Sequence, residues 1–177
     1  MKVLLNDCSV LLNLLAADCL ASIADDTGWQ FAICPAVRDE VIKLRDAHSG
    51  EMVEVNIGPL IASGLLQVLE LSGEEEEMLF VEQSIVVDDG EAMSIAIAAS
   101  RHLELAIDDN QAANHTRRTF PEIRLWSTPE ILKAWADQRP LEFEILREAI
   151  RNIEVRARYF PPKSHALAAW WRTTKEG

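Results

Sequence analysis

Three features of the 177-residue sequence predict an α/β fold, layered as a sandwich around a mainly parallel central sheet. Short apolar runs of strand length recur along the chain and alternate with segments of helical patterning. Helix-start signals follow several of these runs, as at Pro35 and at Thr128-Pro129-Glu130. Beyond residue 138 the strands stop and a charged helical pattern takes over, so residues 139–177 read as a C-terminal helical extension on a body formed by residues 1–138.

Lys2 to Asn6 reads as a buried strand, and Ser9 stands near the N-cap of a helix carrying Val10, Leu11, Leu14, Leu15 and Leu20. Phe31 to Cys34 is a second strand. Pro35 suits a first helical position, and the helix from Ala36 carries Val37, Val41, Ile42 and Leu44 inward with Glu40 in its second turn. Gly50, Gly58, Pro59 and Gly64 break a variable stretch before the strand-like run Leu65 to Leu71. Ser72 and Glu75 fit a capping box for a helix through Gln83. Ile85 to Val87 is short and β-branched, and Asp88-Asp89-Gly90 precedes an Ala/Ile-rich buried helix over Glu91 to Arg101. Leu103 to Ile107 is a strand ending in Asp108 and Asp109, followed by a polar helix from Gln111 to Arg118. Ile123 to Trp126 is the last strand, and Thr128 caps a helix ending near Gln138. From Leu141 a charged helix runs to about Arg158, Pro161 and Pro162 break it, and helix resumes over His165 to Trp171.

Apolar residues make up 49% and charged residues 26% of the chain, ordinary globular values that exclude disorder and fibrous repeats. Seventeen basic against 29 acidic side chains give a formal net charge of -12, unlike a standing nucleic-acid-binding surface. The charge is uneven: the acidity lies in the body, while residues 139–177 hold 8 basic and 5 acidic side chains. Three cysteines, Cys8, Cys19 and Cys34, make neither a disulfide framework nor a zinc pattern, so a reducing cytoplasm is the expected compartment. Asn6, Asp7 and Asn13 interrupt the apolar N-terminus where a signal peptide needs an unbroken core, and no stretch has the length of a membrane span.

The chemical signal is the placement of acids. Asp7 follows the first strand, Asp108 and Asp109 follow a later one, and Glu91 opens the helix before it. In an open parallel sheet the C-terminal strand ends form one rim, so these acids converge there, and Glu40 joins them from its helix. Crowded carboxylates repel one another unless a cation is present, and hard oxygen ligands suit Mg²⁺ or Mn²⁺. Such a site suits phosphodiester hydrolysis.

The strings Leu5-Asn6-Asp7-Cys8-Ser9-Val10-Leu11-Leu12, Pro35-Ala36-Val37 with Glu40-Val41, Gly90-Glu91-Ala92 and Ala106-Ile107-Asp108-Asp109, in this order, resemble PIN-domain nucleases, especially VapC-like toxins, over residues 1–138. The resemblance implies a three-layer PIN-like fold and a Mg²⁺- or Mn²⁺-dependent endoribonuclease, the toxin of a toxin-antitoxin pair. It also implies an RNA substrate, an antitoxin protein as partner and a homodimer. Carried over by position, Asp7 is the first metal ligand, Ser9 a hydroxyl orienting water or that carboxylate, and Glu40 and Glu91 the middle of the site. The last acid is Asp109, with Asp108 as its neighbour and alternative ligand. Ile107 departs from the family pattern, where a Thr or Ser is frequent.

Of the other polar groups, Glu74 to Glu77 read as a solvated helix start, and Cys8 as a small core residue. Arg117 and Arg118, with Arg147, Arg151, Arg156, Arg158 and Lys163, are the candidate phosphate contacts. Trp170 and Trp171 suit packing or a partner anchor. The competing reading is a catalytically silent PIN-like module that binds RNA or protein. An aspartyl phosphotransferase ranks lower, because Ser9 stands where such enzymes carry a second acid.

Overall fold

Five parallel strands form the central sheet in the computed structural model, which describes residues 2–40, 42–138 and 143–176. They are β1 (Lys2–Asn6), β2 (Trp29–Ile33), β5 (Leu66–Val68), β6 (Glu104–Ala106) and β7 (Leu125–Trp126), in the spatial order β5-β2-β1-β6-β7. Leu4 pairs with Phe31 on one side and Glu104 on the other, so β1 lies at the centre. Its successive residues Leu4, Leu5 and Asn6 are all buried although they face opposite sides of the sheet, which explains why Val3 to Leu5 is a continuous apolar run rather than an alternating one. Two further strands, β3 (Lys43–Arg45) and β4 (Met52–Glu54), make a separate antiparallel pair.

Helices cover both faces, giving the three-layer α/β sandwich that the alternating pattern predicts. α1 (Cys8–Ala16), α2 (Leu20–Thr27) and α8 (Thr128–Gln138) pack together, as do α3 (Pro35–Asp39), α5 (Gly73–Gln83) and α6 (Asp89–Arg101). α4 (Gly58–Ala62) leads into β5, and α7 (Asn110–Thr119) follows β6. The C-terminal segment comprises α9 (Phe143–Asn152), a π-helical turn over Ile153–Ala157, and α10 (Ala168–Glu176). Leu146, Ile150, Ile153 and Trp171 are buried in the same core as Leu11, Leu14 and Phe31. Arg156 ties this segment to the end of α1, donating to the Ala16 carbonyl at 2.9 Å.

Several elements differ from expectation for local reasons. The helix begun by Pro35 ends at Asp39, after which Glu40 is extended at φ -68°, ψ 141°. Ile42 and Leu44 are buried as expected, but in or beside a strand, because β3 pairs with β4; Val41 lies outside the described residues. Asp7, not Ser9, caps α1. The Ser72 N–H is held by Glu76 rather than Glu75, at 2.7 Å. Glu76 is therefore no solvated residue: it is 3% exposed and grips Arg101 through two 2.7 Å hydrogen bonds. Ile85 to Val87 is a turn. Ser127 precedes α8, donating its N–H and hydroxyl to Glu130, which leaves Thr128 buried and available to another partner. Leu141 lies outside the described residues, and the last helix starts at Ala168, later than the sequence pattern places it. Among the described residues no single helix is long and apolar enough to cross a membrane.

Candidate functional site

The chain passes from β1 to β2 and β5 on one side of β1, then returns to β6 on the other, so the order reverses between β1 and β6. Open α/β sheets bind ligands at the carboxyl ends of strands beside such a reversal. Asp7 and Asp108 stand there. The Asp7 N–H donates to the Ala106 carbonyl at 3.0 Å, extending the β1–β6 ladder, and the Asp108 N–H reaches Asp7 Oδ2 at 3.3 Å. Asp7 Oδ1 accepts the Val10 N–H at 2.7 Å. One carboxylate thus ends a strand, caps a helix and bridges to the neighbouring strand while only 2% exposed.

Asp7, Cys8, Ser9, Leu12, Glu40, Asp88, Gly90 and Glu91 line one cleft of about 180 Å³. Four of the five residues first singled out for catalysis therefore share it. Glu40 reaches it because α3 stops, and the extended backbone at Glu40 redirects the side chain toward α6. A Cβ placed on Gly90 would lie 3.1 Å from Glu40 Oε1, so the absence of a side chain at Gly90 makes room for that carboxylate. Glu91 sits in the first turn of α6, whose N-cap Asp88 accepts the Glu91 N–H at 2.9 Å.

The cleft is electrostatically costly without a counterion. Burial, then the charges of Asp108 and Glu91, push the Asp7 carboxyl well above the usual carboxylate range despite its two N–H donors. Glu91 is pushed up to about 7 by burial and by the charges of Asp88, Asp109 and Glu40. Burial and the facing Glu40 carboxylate push the Cys8 thiol above its ordinary range, which holds it protonated and argues against a nucleophilic role.

The paired acids after β6 divide. Asp108 is saturated: its carboxylate accepts from Asn13 Nδ2 (2.9 Å), Thr128 N–H (2.9 Å), Thr128 Oγ1 (2.6 Å) and Tyr159 O–H (3.1 Å). Asp109 caps α7 by accepting the Ala112 N–H at 2.8 Å, is exposed, and acts on Glu91 through its charge. It does not line the small cleft. Sequence reasoning missed Asn13, Thr128 and Tyr159, which hold Asp108, and read Thr128 only as a cap. Of the two arginines, Arg117 lines a neighbouring cavity of about 300 Å³ with Asp108, Ser127, Tyr159 and His165, whereas Arg118 bonds the Asn114 carbonyl at 3.2 Å.

Among the described residues, no three His, Cys, Asp or Glu side chains are placed to hold one ion as they stand. Apart from the thiol of Cys8, which is held protonated, the cleft's donors are oxygens carrying excess negative charge, which fits a hard, hydrated divalent cation better than a soft metal. No family model, curated protein or solved structure matches this chain.

Proposed function

We propose that the protein is a Mg²⁺- or Mn²⁺-dependent endoribonuclease of the PIN-like, VapC-like kind. The observation that carries this reading is the meeting of Asp7, Ser9, Glu40 and Glu91 in one cleft at the strand-order reversal. Asp7, Glu40 and Glu91 would hold the cation directly or through its waters, with Asp109 adding charge at the margin. Mg²⁺ keeps several waters and uses one or two protein carboxylates, so a cleft without three converging ligands remains chemically suitable. The bound cation would supply neutralisation of phosphate charge and acidification of a coordinated water.

The chain's own groups have distinct tasks in this scheme. Asp7 is oriented by the Val10 and Asp108 N–H groups, so its carboxylate is fixed before any ligand arrives. Glu91, pushed up to about 7 in the metal-free cleft, would give up its proton as the cation binds. Ser9 offers a hydroxyl on the cleft wall. Asp108 positions Asp7 through its backbone, while its side chain fastens α1, α8 and the C-terminal segment to the strand end.

Calorimetric titration of Mn²⁺ into the protein and into Asp7→Asn, followed by cleavage of a mixed-sequence RNA, tests the proposal. Binding and cleavage by the parent, both lost in the variant, are expected. RNA binding without metal-dependent cleavage would replace it with the silent-module reading. An antitoxin partner, a cytoplasmic setting and a homodimer belong to the same proposal and are tested by co-purification and by sedimentation.

A further inference from the structure

RNA approaching a chain of formal net charge -12 needs a local reversal of sign to be held. One groove provides it. An open groove of about 390 Å³ runs between the 160–163 stretch and α10, lined by Phe160, Pro161, Lys163, Trp171, Arg172 and Lys175. Lys163 and Arg172 are exposed and make no ion pair among the described residues. Glu154, the acid on the groove wall, is already engaged: one oxygen takes the Trp171 indole N–H at 2.9 Å and the other lies 3.0 Å from Lys175 Nζ. Phe160 is 61% exposed on the rim.

Unpaired cations beside an accessible aromatic ring in a concave track are what single strands of nucleic acid use, phosphates on the cations and a base on the ring. The same stretch of chain also reaches Asp108, whose N–H contacts Asp7 in the acidic cleft. Tyr159 donates to Asp108, and His165 Nε2 lies 3.0 Å from Ser127 Oγ, so residues 159–165 form a wall shared by the basic groove and the Arg117 cavity. A broad anionic membrane surface would meet the acidic body as well as the groove, whereas a single strand can follow the groove alone.

We propose that this groove binds single-stranded RNA, with Lys163 and Arg172 on phosphates and Phe160 stacked on a base, and holds the strand beside the acidic cleft. The choice of RNA rests on the nuclease reading. The test therefore separates binding from cleavage, using full-length Asp7→Asn protein in EDTA and a fluorescent oligouridine of about 12 nucleotides, a length within the span of known single-strand sites.

Phe160→Ala is expected to weaken binding about tenfold, the loss of one stacked base. Lys163→Gln and Arg172→Gln should each lower the slope of log affinity against log salt by about 0.7. Duplex RNA of equal length should bind at least tenfold more weakly. In the parent background Phe160→Ala should raise KM while leaving kcat and Mn²⁺ affinity unchanged. Absence of oligouridine binding, binding indifferent to these three substitutions, equal binding of duplex, or binding confined to phosphatidylserine vesicles overturns the inference. Groove-dependent binding by a parent that cleaves nothing supports the groove and removes the nuclease; cleavage with groove-independent binding does the reverse.

Discussion

Replacing Asp7 by Asn should make the metal-free protein more stable, and the gain should depend on pH. Asn keeps an oxygen for the Val10 N–H, so the cap on α1 survives. The 3.3 Å contact from the Asp108 N–H is given up, a small loss because it is long. What the substitution removes is a charge 2% exposed and facing the charges of Asp108 and Glu91. We expect a gain of about 2 kcal/mol above neutral pH, the middle of the range for a poorly compensated buried polar group. In a chain of this size that is about 4–8 °C in Tm. The sign follows from linkage. The folded-state pKa of Asp7 lies above its unfolded value, so the native state binds the extra proton and loses stability as pH rises between the two. Below the unfolded carboxylate range both states are protonated and parent and variant should nearly coincide. Urea denaturation in EDTA at pH 3 and pH 8 measures the difference. A variant less stable than the parent at pH 8, or a gap equal at both values, would refute the idea that this carboxylate is held at an energetic cost.

Metal should reverse the order. At a Mn²⁺ concentration a hundred times its dissociation constant, the parent should gain about 2.7 kcal/mol and Asp7→Asn nothing, read as the shift in Tm. Because Glu91 is pushed up to about 7, Mn²⁺ affinity should climb as pH rises through that value and binding at pH 6 should release protons; a flat affinity from pH 5.5 to 8 contradicts this. Gly90→Ala should displace the Glu40 carboxylate from its 3.1 Å position and weaken Mn²⁺ binding, while stability changes by no more than about 1 kcal/mol, the helix propensity difference. The two neighbouring acids should separate cleanly. Asp108→Ala strands buried donors from Asn13 and Thr128 and should cost about 3 kcal/mol or more, whereas Asp109→Asn retains a cap and should lower cleavage with little change in Tm.

The sheet was legible because its strands are short apolar runs bounded by polar residues, a local signal that tertiary packing only reinforced. The acids at strand ends were legible for the same reason: parallel strands share one C-terminal rim wherever they sit in sequence. The course of the chain at Glu40 was less so. A Pro-initiated segment with apolar residues at 37, 41, 42 and 44 fits a helix, and only the pairing of Lys43–Arg45 with Met52–Glu54 makes part of it a strand. Glu76 shows the same limit, since four consecutive glutamates look solvated until Arg101, on another helix, reaches one of them. Tyr159 carried no local signal at all; its hydroxyl matters only because the C-terminal segment lies against the end of β6.

The pairing of β1 has a consequence for how the molecule comes together. The central strand β1 pairs on one side with Glu104–Ala106, a segment about 100 residues further along the chain. Contacts of such long sequence separation impose a large loop-closure cost before they contribute stability, which slows folding. The carboxylate of Asp7 therefore cannot meet the Asp108 backbone until the sheet has closed. A cation held on the Asp7 carboxylate that this backbone orients would stabilise the fully closed molecule rather than any earlier form, so its effect should appear chiefly as slower unfolding, with little acceleration of folding.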